Sequence, residues 1–162
     1  MDPLKWLSAR EGDFSSLTVD EIKAINDFFL VWSYFEEQKL DCTAGRVKFL
    51  ELAVLLANQN KLGQNFLGEM VTYFRERYVS DNSLNYRVEY LHLEQSRNPQ
   101  EVTDMLLKID CDETTQFIGC LFIVYRYRNN LFHGPKWRSF LKEQKCNMEM
   151  SSKFLISIMD LT

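Results

Sequence analysis

Apolar residues recur every three or four positions along most of the chain, which is the spacing of one face of an α-helix. In the first such stretch, the apolar positions are Ile22, Ile25, Phe29 and Trp32. They predict a helix that runs to about Gln38. Before them, Thr18 and Glu21 have the spacing of a capping box, in which a hydroxyl and a carboxylate each accept a hydrogen bond from a backbone N–H.

The same spacing predicts two more helices in the first half of the chain. Asp41 to Thr43 can cap the second helix, whose apolar set is Leu50, Ala53, Val54 and Ala57. After a break near residues 60–63, the third helix carries Leu67, Met70, Val71, Phe74 and Tyr78. Residues 1–17 are a poorly periodic lead-in, and residues 80–98 are polar and fit either a short helix or an extended segment.

Three helices are predicted in the second half. Asn98 and Pro99 match a helix start, with Asn as the cap and Pro at the first helical position. The stripe that follows is Val102, Met105, Leu106 and Ile109. The final helix runs from Met148 to Leu161, with Phe154, Leu155 and Ile158 on its apolar side.

Between them lies the most apolar helix, which begins at Thr114 or Thr115 and should end near Phe132, because Gly134-Pro135 is a stop signal. Its buried side is expected to be Phe117, Ile118, Leu121, Phe122 and Tyr125. The chain has only 6 Gly and 3 Pro in 162 residues, too few for a many-stranded barrel or sandwich. We therefore expect one all-α domain over residues 1–162, a bundle of about five or six helices.

Composition excludes several classes of protein. The start of the chain lacks the layout of a signal peptide, and the longest strongly apolar stretch, residues 117–125, is far shorter than the ~20 residues of a membrane helix. The four cysteines are widely spread, without the ligand spacing of a zinc site. We therefore expect a cytoplasmic protein with reduced thiols, no membrane association, and no metal or other cofactor.

Charge is unevenly distributed. The net charge is −4, yet residues 126–145 contain six basic residues and one acid. Such a local excess can attract a polyanion even when the whole chain is acidic.

The start of this basic segment, Arg126-Tyr-Arg-Asn-Asn-Leu-Phe-His133-Gly-Pro-Lys136, contains the best candidates for chemistry. Positive charge at a helix C-terminus is favourable in itself, by ~0.3–1 kcal/mol. However, Asn129 and His133 are one turn apart, and Arg126 and His133 are nearly eclipsed after two turns. A guanidinium matches phosphate geometry and an imidazole can transfer protons, so the set fits phosphate chemistry without a metal.

Arg128-Asn129-Asn-Leu-Phe-His133 resembles the motif of the HEPN superfamily, an Arg followed after four to six residues by a His. The resemblance implies a helical bundle that dimerises and sets two motifs together at the interface. Many members are metal-independent endoribonucleases of toxin–antitoxin, phage-defence or RNA-processing systems. RNA, a second copy of the chain and a cognate antitoxin protein are the partners that it suggests.

Roles follow from that resemblance. His133 would be the general acid or base, Arg128 would hold the scissile phosphate, and Asn129 would orient the phosphate or His133. Arg126 is the alternative motif arginine, and with Tyr127 and Lys136 it is assigned to substrate binding. Cleavage by the 2′-hydroxyl of the RNA needs both a base and an acid. Because only one of the two histidines in each chain is a candidate for catalysis, this requirement favours a dimer.

Other readings stay open. A HEPN-like domain could be a non-catalytic nucleotide-binding or dimerisation module, and a well-capped basic helix could be purely structural. Tyr125 and Tyr127 could stack on bases, or Tyr125 could be buried and Tyr127 packed across the interface. The remaining candidates are expected to be structural: His92, the pair Glu36-Glu37 on a solvated face, and the core or interface aromatics Phe28, Phe29, Trp32 and Phe35.

Overall fold

The computed structural model describes residues 2–133 and 144–162, with the backbone alone at residues 13, 132 and 133. Eight α-helices occur in this part of the chain: α1 Pro3–Ser8, α2 Gly12–Ser15, α3 Val19–Leu40, α4 Arg46–Asn58, α5 Asn65–Tyr78, α6 Gln100–Leu107, α7 Glu113–His133 and α8 Lys145–Leu161. The expected all-α class is confirmed. The six longer helices correspond to the six predicted ones, and α1 and α2 lie in the lead-in.

Helix α7 is the centre of the bundle. It packs against α4, α5 and α6, while α8 lies across α3 and also contacts α5. Because α7 has neighbours on several sides, its buried residues spread over more than one face: Phe117, Ile118, Cys120, Leu121, Phe122, Ile123 and Val124. This placement explains why α7 is the most apolar of the predicted helices.

Where the apolar stripe is narrow, the predicted helix faces agree with the structure. The buried residues of α5 are the five predicted ones, Leu67, Met70, Val71, Phe74 and Tyr78. At the start of α3, the Thr18 hydroxyl accepts from the Glu21 N–H and the Glu21 carboxylate accepts from the Thr18 N–H, so the capping box is confirmed.

The prediction for α4 was wrong in its cap and its face. Asp41 ends α3 with a positive φ of 49°, its carboxylate pairs with Lys48 at 2.7 Å, and α4 begins after Gly45 without a side-chain cap. The buried residues are Phe49, Leu52, Ala53 and Leu56, whereas Leu50 and Val54 are 46% and 47% exposed. Apolar residues occur on all sides of the α4 helix, so the periodicity of its sequence could not decide which side faces α7.

Two other caps also differ from expectation. Asn98 has a φ of 45°, and α6 begins at Gln100 after Pro99 without a side-chain cap. The next helix is capped by a residue that the prediction passed over: Asp112 accepts from the Thr115 N–H at 3.0 Å. Hydrogen bonds from Thr115 lower the pKa of Asp112.

Residues 79–98 contain both of the alternatives that were left open, short extended strands and short helices. Strands β1 Val79–Ser80 and β2 Ser83–Leu84 pair antiparallel, and two 3₁₀ helices follow at Tyr86–Leu91 and Leu93–Ser96. The turn between the strands has positive φ at Asp81 and Asn82, the geometry of a tight hairpin turn. Leu91 is buried in the core, so the 3₁₀ segment is attached to the bundle.

No helix in the described ranges is long and apolar enough to cross a membrane.

Candidate functional site

The last two turns of α7 carry the motif, and its residues are split between the interior and the surface of the bundle. Arg126, Tyr127 and Asn130 are buried, whereas Arg128 and Asn129 are partly exposed. The backbone of His133 ends α7, one turn beyond Asn129 on the helix. Of the predicted site residues, Lys136 lies outside the described residues, as does the Gly134-Pro135 stop.

Arg126 is 2% exposed and holds the 3₁₀ segment against α7. Its Nε donates to the Leu91 carbonyl at 2.8 Å, and its NH2 donates to the Gln95 side-chain oxygen at 2.7 Å and to the Asn130 Oδ1 at 3.1 Å. Asn130 in turn donates to the Tyr90 carbonyl at 2.9 Å. Burial lowers the pKa of Arg126 and the charge of Glu94 opposes this, but an arginine stays protonated at neutral pH.

These contacts place Arg126 in the interior, and its assignment to substrate binding stays a prediction. A guanidinium that is buried and hydrogen-bonded to a backbone carbonyl on another segment can reach a phosphate only if the 3₁₀ segment leaves α7. Its donors satisfy the Leu91 carbonyl and the Asn130 amide oxygen, which would otherwise be buried without this partner.

Tyr127 is also an interior residue. It is 1% exposed, and its hydroxyl lies 2.5 Å from the hydroxyl of Tyr78 on α5. Burial raises the pKa of both phenols, so this hydrogen bond joins two neutral groups. The ring of Tyr127 is enclosed in this fold and is not exposed to a base, and the assignment of Tyr127 to substrate binding stays a prediction.

Arg128 has the partly exposed position that a phosphate-binding residue requires. Its NH1 donates to the Asn129 Oδ1 at 3.0 Å, and its NH2 lies 3.5 Å from a carboxylate oxygen of Glu36 on α3. The side chains of Arg128 and Glu36 are 26% and 17% exposed. The guanidinium is thus held in one orientation at the surface, between an amide and a carboxylate.

Glu36 is the site residue that the sequence reasoning missed. The buried Trp32 donates its indole N–H to the Glu36 carboxylate at 2.8 Å, and that carboxylate pairs with Arg128, so Glu36 does not lie on a fully solvated face. Its neighbour Glu37 is exposed. A signal was present: Trp32 and Glu36 are one turn apart, which places an indole N–H beside a carboxylate.

Aromatic rings form the base of this site. The ring centroids of Trp32 and Tyr125 are 5.9 Å apart, as are those of Tyr125 and Phe49 on α4. Phe28, Trp32 and Phe35 are core residues as expected. Tyr125 is partly exposed and, unlike Tyr127, remains accessible.

The remaining histidine has the structural surroundings that were expected of it. His92 joins the two 3₁₀ helices with a φ of 52°, and its Nδ1 lies 3.3 Å from a Glu94 carboxylate oxygen. Among the described residues, no group of three His, Cys, Asp or Glu side chains is placed to hold a metal ion.

No protein-family model, curated protein or solved structure matches this chain. The arrangement of α3 and α7 is therefore interpreted from its own chemistry.

Proposed function

We propose that this protein is a metal-independent endoribonuclease of the HEPN type, with Arg128, Asn129 and His133 in its active site. The observation that supports it most directly is the position of Arg128 and Asn129. Both are partly exposed and in contact, and they lie in the turn before the helix end that carries His133. The buried Arg126 and Tyr127 fix this helix end to its neighbours.

Each residue type suits one task in cleavage by the 2′-hydroxyl of the RNA. The guanidinium of Arg128 stabilises the charge that develops on the scissile phosphate. The imidazole of His133 takes the 2′-hydroxyl proton or protonates the leaving 5′-oxygen. Asn129 accepts from Arg128 and keeps the guanidinium pointed along the helix surface.

A second copy of the chain belongs to this proposal. The reaction needs an acid and a base, and His92, the other histidine, is engaged on the 3₁₀ segment. A two-fold interface beside the partly covered side of α7, which carries Tyr125, Arg128 and Asn129, would supply the second His133. Sedimentation at micromolar concentration should give a dimer, and a monomer of 19.2 kDa would contradict the shared site.

The test compares the two histidines on total RNA. His133→Ala should lower cleavage by ~10²–10⁴-fold, whereas His92→Ala should leave it near the wild-type rate. The products should carry a 2′,3′-cyclic phosphate and a 5′-hydroxyl, because the 2′-oxygen is the nucleophile. Equal cleavage by wild type and His133→Ala, or 5′-phosphate products, would refute the mechanism.

One observation favours a second candidate, a non-catalytic module that binds a nucleotide or another protein. Glu36 lies 3.5 Å from Arg128, and this carboxylate competes with a phosphate for the guanidinium. Under that alternative, neither the wild type nor any variant cleaves RNA, and the only effect of Arg128→Ala is weaker ligand binding. A role as a toxin or a phage-defence effector, with a cognate antitoxin, would follow only from the first proposal.

A further inference from the structure

Arg77, at the end of α5, is a partly buried cation without an acidic partner in the part of the chain that the structure describes. Its Nε is buried and has no hydrogen-bond partner, and within residues 2–133 and 144–162 no carboxylate forms an ion pair with its guanidinium. The described titratable groups that act on it most strongly are the phenols of Tyr127, Tyr78 and Tyr73. Arg128, another partly buried arginine, has a carboxylate 3.5 Å away.

The phenols cannot neutralise this charge. Burial raises the pKa of Tyr73 to about 12 and raises those of Tyr78 and Tyr127 as well. All three are therefore neutral at pH 7 and offer only hydroxyl groups. The Arg77 guanidinium also lies over the Tyr78 ring, with Cζ 5.8 Å from its centroid. A ring in that position keeps one face of the guanidinium dry but carries no negative charge.

Arg77 is close to the motif. Tyr127, whose hydroxyl is bonded to Tyr78, is adjacent in the chain to Arg128. One turn before Arg77 on α5, the Tyr73 hydroxyl donates to the Asn147 Oδ1 at 2.6 Å, in the first turn of α8. The N-terminus of a helix of 17 residues adds partial positive charge there. An anion beside Arg77 would thus meet a guanidinium on the side of the bundle where a helix N-terminus lies.

We propose that Arg77 binds a phosphate group of the RNA, next to the phosphate held by Arg128. A partly buried guanidinium is costly without a counter-ion, and it is suited to a phosphate because its planar N–H groups match two phosphate oxygens. The inference rests on the proposed function, since it adds a residue of α5 to the RNA-binding site that we propose on α7.

The test measures binding of a short single-stranded RNA with methylated 2′-oxygens, which cannot be cleaved through 2′-attack. Fluorescence anisotropy over a range of KCl concentrations compares wild type with Arg77→Met and Arg87→Met. Arg87 is the matched control, because it is exposed and its guanidinium lies 5.3 Å from the ring centroid of its neighbour Tyr86.

Arg77→Met should weaken binding about fivefold to tenfold and reduce the slope of log affinity against log salt by about 0.7, the value for one phosphate contact on a single strand. Arg87→Met should change neither. Because Arg77 has no acidic partner to lose among the described residues, Arg77→Met should unfold close to the wild-type temperature, which separates a ligand role from a structural one.

Each result decides between the two proposals. Unchanged affinity and salt slope in Arg77→Met would overturn the role of Arg77, whatever the nuclease assay shows. Binding that depends on Arg77 in a protein that does not cleave RNA would leave this inference standing and refute the nuclease. Absence of RNA binding by the wild type would refute both.

Discussion

Arg126 and Arg128 are two residues apart on the same helix, yet they belong to different parts of the molecule. The guanidinium of Arg126 is buried and bonded to Leu91, Gln95 and Asn130. That of Arg128 is partly exposed between Asn129 and Glu36. Because two residues correspond to about 200° around an α-helix, the two side chains meet opposite sides of the bundle.

The comparison shows how one short basic motif can serve structure and chemistry together. On one side of α7, an arginine binds the irregular segment that covers the helix. On the other side, an arginine is presented to solvent in a fixed orientation. We therefore expect the two arginines to differ in whether their loss affects folding or activity, and the following predictions test that difference from the largest effect to the smallest.

Arg128→Ala should reduce RNA cleavage by ~10²–10³-fold, because it removes the group that stabilises charge on the phosphate. Its thermal unfolding should stay close to that of the wild type, since a partly exposed ion pair at 3.5 Å contributes about 1 kcal/mol at most. Single-turnover cleavage and calorimetry on the same samples measure both effects. Arg97→Ala, at an exposed arginine on the 3₁₀ segment, is the control.

Arg128→Lys should recover little of that loss, because an ammonium cannot reproduce the planar fork of the guanidinium. Recovery to the wild-type rate would show that Arg128 acts only as a point charge.

Arg126→Ala should lower the free energy of unfolding by about 1.5–3 kcal/mol, because the Leu91 carbonyl and the Asn130 amide lose a charged donor in the interior. Urea unfolding measures this loss. Arg126→Lys should restore only part of it, since one ammonium cannot reach all three acceptors. If Arg126→Ala is as stable as the wild type but does not cleave RNA, Arg126 rather than Arg128 is the arginine that binds the phosphate.

Glu36→Gln should lower the cleavage rate constant about tenfold with a small effect on RNA binding, if the carboxylate orients Arg128. The amide can still accept from Trp32 but loses the ion pair. Glu37→Gln, at the exposed neighbour, is the control. An increase in RNA affinity without loss of rate would instead show that Glu36 holds the site closed to phosphate.

Tyr127→Phe should have the smallest effect, about 0.5–1.5 kcal/mol of unfolding free energy for the lost bond to Tyr78. The pKa values of both phenols are raised in the folded protein. The stability that these neutral phenols contribute is therefore fully present below pH ~10, the pKa of an unfolded tyrosine. It is then lost as pH rises toward the folded values. Tyr127→Phe should lose less stability above pH ~10, and urea unfolding from pH 8 to 11 measures this.

The amino-acid pattern alone determined the class of the fold. Helices with a narrow apolar stripe, such as α5, bury the residues that their spacing indicates, because one face alone can enter the core. The capping box at Thr18 is equally local, since its partners lie within one turn. The pattern also placed a polar motif at the end of the most apolar helix.

Only the tertiary structure decided which motif residues face solvent. Helix α7 has neighbours on several sides, so periodicity gave no reason to bury Arg126 and expose Arg128. The contacts that separate them come from chain that is distant in sequence: Leu91 and Gln95 on a segment with no periodic signal, and Glu36 on α3. Long-range hydrogen bonds of this kind are fixed by how the elements pack, and no local spacing encodes them.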